Sequence, residues 1–447
     1  MKRNILNLTL GLFALLTLGA CDDFLDIQPV GKVIPTTGSD FRALLTNTYS
    51  EVPKDRGLAT FRTDEIVLDL GSASTEDINS YFDIWTWNDL DPAGTTTEFN
   101  WQRYYHILYV ANYIMEQQAS MTNTTTAERN QMVGEAYMLR AYMHFLLVNL
   151  YADPYTHCNP TSTRGIPLKL DCDINKVLSR NTVEEVYQSI LSDIQRAQQY
   201  LNKEQWEEGY TYRFNVISAE ALRARTYLYM GEWKKAYDAA LKVLDFNNQL
   251  EDISTSKVLP NSYKSVESIL ALEWIMPAQY HAAGRVEPAL LSKYKSGDLR
   301  KSKFYKQITA SNTNALKAGN NEFRCTFRSA EFYLIAAESA LENNDMENAL
   351  NYLTALMKKR YHSSMYSKYE TEVKKMTQEQ LRQEIQDERL RELAYEGHRW
   401  FDLRRTTQPS LTKTYVGTQY TLEEGDSRYT LRFPSAAIAA NPGLAQE

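Results

Sequence analysis

Near the C-terminus, Glu396, His398, Arg399 and Asp402 stand close together in the run ERLRELAYEGHRWFDLRR (388–405). Carboxylates beside an imidazole are the residue types of general acid–base chemistry. The same run has a plainer reading. Glu396 precedes Arg399 by three residues and Glu392 by seven, spacings that share a helical face and pair opposite charges. Trp400, Phe401 and Leu403 would then anchor the run in a core. Other reactive groups are few. With Cys21 assigned below, Cys158, Cys172 and Cys325 remain, an odd count. Cys158 and Cys172 flank a loop-like stretch with Asn159, Pro160, Gly165 and Pro167, and they could pair outside the cytoplasm. Three separate thiols are the equal alternative. The sequence has no CxxC or Cys/His metal spacing, glycine-rich phosphate loop, GxSxG or HExxH. A glycosidase needs two carboxylates at a set separation, and 56 acidic residues leave no way to pick such a pair. These signs point away from an enzyme.

The elements that would carry these residues start after an address signal. Lys2 and Arg3 form a positive start, Ile5 to Leu18 an apolar stretch, and Leu18-Gly19-Ala20-Cys21 a small-residue cleavage point followed by cysteine. Residues 1–20 thus read as a lipoprotein signal peptide, and Cys21 as the lipidated residue, since several acyl chains make anchoring stable. Asp22 and Asp23 resemble the export signal of surface lipoproteins in Bacteroidota, although in other gram-negative bacteria an Asp there marks inner-membrane retention. The chain carries −7, and loss of Lys2 and Arg3 takes it to −9. That balance argues against nucleic acid and against electrostatic membrane adhesion.

Residues 22–60 read as irregular and 61–95 as short mixed segments. Helical periodicity then predicts helices over 98–120, 127–150 and 182–201, the last with Asn181 as N-cap. Residues 218–244 and 331–357 superpose as an internal repeat at an offset of 113. Ala224 meets Ala337, Ala236 meets Ala349, and Gly231 meets Asn344. Each copy reads helix, tight turn, helix, with a residue at the turn that tolerates the left-handed conformation. The pattern resembles the tetratricopeptide repeat. Between the copies, 246–328 reads as loops and short elements on the helical scaffold. A helix follows at about 377–396, and 406–447 reads as loop-like.

Several stretches, in order along nearly all of the mature chain, resemble the SusD/RagB family of outer-membrane nutrient-binding lipoproteins. CDDFLDIQP matches the family's opening after the lipidated cysteine. RAYMHFLLVNLYADPY (140–155) and RGIPL (164–168) match a helix, its exit and a strand, and RNTVEEVYQSILSDIQRA (180–197) matches the next helix. LLSKYKSGDLR (290–300) and the ERLRELAYEGHRWFDLRR run follow. RFPSAAIAANPGLAQE (432–447) matches the ending, with Phe433 where Ile is more usual.

The resemblance implies a mainly α fold: a tetratricopeptide-like helical-repeat scaffold with a loop-rich second subdomain. Its division would be 1–20 signal, 21–245 N-terminal helical region and 246–447 C-terminal region, the last two forming one intimate unit. It implies a glycan or oligosaccharide ligand, or a peptide in the RagB manner, with no turnover. It implies a SusC-like TonB-dependent transporter as partner, and a structural role for the EGHRWFDLRR run. An α-helical glycoside-active enzyme and a scaffold that binds only protein are the alternatives. Structural calcium is possible by resemblance, without a readable loop motif. Sugar binding uses aromatic faces for the ring and polar side chains for the hydroxyls. The candidates are Trp85, Trp87 and Asn88 before the first long helix, and Trp274, Tyr280 and His281 in the later loop-rich segment, with Trp87 and Tyr280 foremost.

Overall fold

The structure, a computed structural model, describes residues 34–310 and 312–445. The predicted signal segment and Cys21 lie outside them. The fold is mainly α. In chain order the first part runs α1 (Gly38–Ser50), α2 (Asp55–Ala59), β1 (Ile66–Leu68), α3 (Thr75–Trp85), α4 (Trp101–Glu116), α5 (Thr126–Tyr151), α6 (Val183–Tyr200), α7 (Val216–Met230) and α8 (Trp233–Phe246). The second runs β2 (Ser268–Leu270), α9 (Ala278–Ala283), β3 (Gly284–Val286), α10 (Pro288–Ser292), α11 (Arg300–Phe304), β4 (Tyr305–Gln307), β5 (Thr313–Ala315), β6 (Phe327–Arg328), α12 (Ser329–Glu342) and α13 (Met346–Lys358). It ends with α14 (Ser363–Val373), α15 (Gln378–Leu393), α16 (Arg399–Arg405), β7 (Leu411–Tyr415), β8 (Thr418–Leu422) and α17 (Ser435–Ala440).

Helix α5 is the axis of the first half. Thr125 and Glu128 close a capping box at its start, which satisfies two otherwise orphaned amides. From Met138 to Tyr151 every residue is buried, because α4 and α6 flank it on two sides. Trp101 at the start of α4 meets Tyr151 edge-on at 4.9 Å. Arg140 donates to Asn112 of α4 at 2.8 Å and to Asp193 of α6 at 2.6 Å. Both neighbours therefore run antiparallel to α5. At 26 residues, α5 spans about 39 Å. Its start lies beside the beginning of the described chain, where the Gly38 N–H donates to Thr122 O at 2.8 Å.

The internal repeat forms two helical hairpins, α7–α8 and α12–α13. Gly231 ends α7 at φ 71°, and Asn344 holds φ 62° at the equivalent turn. Ala224, Ala236, Ala337 and Ala349 are fully buried, which lets the helices approach closely.

Several local expectations are corrected. Helix α1 lies within 22–60, because Thr37 and Asp40 form a capping box ahead of a buried Phe41–Leu45–Tyr49 stripe. Helix α3 lies within 61–95, capped by Ser74 onto the Asp77 N–H. The N-cap of α6 is Thr182, not Asn181, and the Asn181 amide donates to Glu185 instead. RGIPL is extended but makes only an isolated bridge, Arg164 to Thr182. The 406–447 stretch contains a β-hairpin, β7–β8, paired from Leu411–Leu422 to Tyr415–Thr418.

Strand β1 pairs antiparallel with β3 and ties the two parts together, and β2 pairs antiparallel with β6 within the second. Beneath them lies a charged core. Glu392 accepts from Arg300 (2.9 Å), Arg328 (2.7 Å) and Arg360 (2.8 Å), and Glu267 accepts from Arg328 (2.8 Å) and Arg360 (2.6 Å). All five side chains are at most 1% exposed. Burial alone would raise the Glu392 pKa, but the three guanidinium groups, Arg360 foremost, hold it well below the usual carboxylate range.

Candidate functional site

The EGHRWFDLRR run belongs to this charged core and offers no reactive face. Glu396 accepts from Arg328 at 2.7 Å and also pairs with Lys317. His398 is 4% exposed, and its Nε2 sits 3.2 Å from Arg56 Nη2. Burial, followed by the Arg56 charge, holds the imidazole well below its ordinary pKa. It therefore stays neutral and out of reach of a substrate. Asp402 pairs with Arg389 (3.1 Å) and Arg405 (2.8 Å). Trp400, Phe401 and Leu403 are buried as expected. The predicted pairing of Arg399 with Glu392 and Glu396 is replaced. Arg399 pairs with Asp64 at 2.7 Å, because the chain leaves helix between Leu393 and Arg399 and the helical spacing does not persist.

Trp85 and Trp87, predicted to present ring faces to a ligand, are 2% and 1% exposed. Their indole N–H groups donate to Ile66 O and Arg62 O, each at 2.9 Å. Lys413 occupies their faces, its Nζ lying 5.0 Å and 4.4 Å from the two ring centres. That Nζ also donates to Phe61 O at 2.6 Å and Trp85 O at 3.1 Å. Tyr280 is likewise core, packed edge-on against Phe61 and Tyr81. Trp274 is half-buried, with Lys54 Nζ 5.1 Å over its ring. His281 is half-buried, and burial followed by the Arg285 charge lowers its pKa. Trp274, Tyr280 and His281 line none of the clefts described below. The possible disulfide does not form: Cys158 and Cys172 are free, half-buried thiols, and Cys325 is free and buried. Among the described residues, no three His, Cys, Asp or Glu side chains converge where a metal ion could sit.

A cleft of about 940 Å³ opens where the end of α5 meets the loop after α3 and the β7–β8 hairpin. Trp87 and Tyr151 form its buried floor. The Tyr151 hydroxyl is buried and has no hydrogen-bond partner among the described residues. Phe82 and Tyr420 form an aromatic wall, edge to face with ring centres 5.6 Å apart. Asn88, the one predicted ligand residue that is exposed here, stands on the rim. Asp83 braces the loop, accepting from Asn88 Nδ2 (2.9 Å), the Ala93 N–H (2.8 Å) and the Thr96 hydroxyl (2.5 Å). Burial acts to raise the Asp83 pKa, but these bonds outweigh it and lower the pKa. Asp89 is gripped by Arg62 through two bonds of 2.7 and 2.8 Å. Asp426 pairs with Arg428 at 2.6 Å, and that bond takes its carboxyl down to about 2. Carboxylates held ionised accept hydrogen bonds from hydroxyls and do not supply protons.

Sequence reasoning missed Tyr420, which reaches the cleft only because the hairpin folds back beneath α3. The signal was present in TKTYVGTQYTL (412–422), alternating residues around a Val-Gly pair. A smaller cleft of about 400 Å³ lies between Trp206 and Tyr263, and another of about 410 Å³ at the start of α4.

Comparison with known proteins follows the same geography. A family described as starch-binding and associating with the outer membrane matches residues 23–228, and the SusD family matches residues 291–446. SusD-like protein P25 of Formosa agariphila is 21% identical over 90% of both chains. SusD-like protein P2 of the same organism is 26% identical over 42% of this chain, a match spanning 36% of that relative. A SusD superfamily protein from Bacteroides thetaiotaomicron VPI-5482 superposes with a TM-score of 0.76 at 21% identity, over 91% of this chain and 98% of that one. A laminarin-binding SusD-like protein does so at 0.60 and 17% identity, over 83% and 92%. At these identities the structural likeness establishes the fold.

Proposed function

The chain belongs to the SusD/RagB family, and from that premise we propose that it captures a glycan in the 940 Å³ cleft and delivers it to a SusC-like TonB-dependent transporter without chemical turnover. The cleft supports this reading: Phe82 and Tyr420 form an aromatic wall for a sugar ring, with Asn88 exposed on the rim for hydroxyl groups. Laminarin binding by one structural relative supports the same class of ligand. The low pKa values of Asp83 and Asp426 support binding over hydrolysis, which requires a carboxylic acid poised to give up its proton.

The anchor fits the same picture. No helix among the described residues is long and apolar enough to cross a membrane, and the anchor we propose is a lipid on Cys21.

The test is calorimetry of the mature chain, without its lipid, against a glycan panel. Binding of one glycan class without products is expected. Tyr420→Ala should weaken it roughly tenfold, and Asn88→Ala should weaken it less. Failure to bind any glycan, with a short peptide bound instead, would overturn the reading.

A further inference from the structure

We propose that the cleft recognises an anionic glycan, one bearing carboxylate or sulfate groups, through Arg164 and Arg432; this rests on glycan capture in that same cleft.

The chain as a whole is acidic, at −7, so an anionic ligand would bind only where the local charge is reversed. Four aspartates and four arginines line the cleft. Two of these aspartates are already neutralised. Arg62 grips Asp89, and Arg428 grips Asp426. Asp83 is 8% exposed and turned into the loop it braces. Asp153 is the remaining exposed acid and accepts from the Thr430 hydroxyl at 3.1 Å.

Arg164 and Arg432 are both exposed, and neither forms an ion pair among the described residues. Among those residues the Arg164 guanidinium donates to Arg180 O, at 3.2 Å. The acid that feels its charge, Glu185, is tied into the cap of α6 by Thr182 and Asn181. Arg180 lies between the two. It donates to Arg164 O at 2.6 Å and to Gly165 O at 2.8 Å, and it lies over the Phe433 ring at 5.0 Å. Arg432 is flanked by Leu431 and Phe433, which are 3% and 4% exposed. The Leu431 N–H also bonds to Leu150 O at 2.9 Å. The backbone that presents Arg432 is therefore fixed, and its side chain is exposed. Two guanidinium forks on a fixed wall, beside an aromatic face, suit the planar carboxylate of a uronic acid or the oxygens of a sulfate ester.

The experiment titrates the mature protein with oligogalacturonate, a sulfated heparin-derived oligosaccharide, and the neutral laminari- and malto-oligosaccharides. Arg164→Gln, Arg432→Gln and Tyr420→Ala are run in parallel, with melting temperatures as the folding control. One anionic class should bind, more weakly as salt screens the charges. Each arginine variant should lose roughly tenfold or more in affinity at an unchanged melting temperature, and a lysine in either place should restore part of it. The oligogalacturonate and heparin arms separate carboxylate from sulfate. Binding of neutral glycans alone, undiminished in the arginine variants, would overturn this inference and leave glycan capture standing. Anionic binding untouched by both substitutions would overturn it too. Binding of nothing in the panel would overturn both.

Discussion

Glu65 is 1% exposed and accepts from the Tyr395 N–H at 3.0 Å. Burial raises its carboxyl to about 8, against 4.5 in an open chain, although the Tyr395 bond opposes the shift. The folded state thus holds this proton more tightly than the unfolded one. Its contribution to stability is complete below pH 4.5 and is lost as pH rises through 8. Glu65→Gln keeps the acceptor and removes the charge. Urea titrations from pH 5 to 9 should find the variant more stable than wild type at pH 9, by on the order of 2–4 kcal/mol, and equal at pH 5. A constant difference at all pH values would contradict this. His144 behaves oppositely. Burial, followed by the Arg140 charge, lowers its pKa from 6.5 to about 3, and its Nε2 accepts from the Lys169 N–H at 3.3 Å. Its contribution is complete above pH 6.5 and is lost as pH falls toward 3. His144→Gln should flatten the loss of stability between those values.

Turns set the geometry of the elements. Gly231 ends α7 at φ 71° with space for a Cβ, so Gly231→Ala should cost about 1–2 kcal/mol from backbone conformation alone, read as a lower melting temperature. In the β7–β8 hairpin, Val416 and Gly417 take φ 47° and 81°. The glycine is at ease there, and the β-branched valine, 76% exposed, is strained. Val416→Asn should stabilise the chain by about 0.5–1 kcal/mol and leave ligand binding unchanged. Lower stability in that variant would show that Val416 makes a contact of its own.

At the scale of the molecule, Glu392 joins arginines from three separated stretches, at 300, 328 and 360. Removing one member of a fully buried ionic network leaves uncompensated charge. Glu392→Ala should therefore cost about 3–5 kcal/mol, enough to expose hydrophobic surface to a dye near physiological temperature. The same network explains why the most motif-like run of the chain is inert. Its charges face inward and hold the loop-rich half against the helical half.

Helices α4 to α8, α12, α13 and α15, the two hairpins and their left-handed turns at Gly231 and Asn344 were legible in the sequence, because periodicity and turn chemistry are local properties. So was the family, whose motifs run in order from residue 23 to 446. Of the candidate site, the sequence pointed to Asn88 on the rim and to Trp87 in the floor, but not to the aromatic wall. An aromatic side chain reads the same in sequence whether it faces solvent or core, and the difference here lies in a residue more than three hundred positions away. Lys413 lies over the rings of both Trp85 and Trp87, so Trp85 is core and Trp87 contributes to the cleft only as part of its buried floor. Tyr420 gains its role by the same folding-back of the C-terminal hairpin. Local sequence determined which elements form; the long-range packing of that hairpin decided which aromatic rings remain open, because burial is a property of neighbours and not of the residue itself.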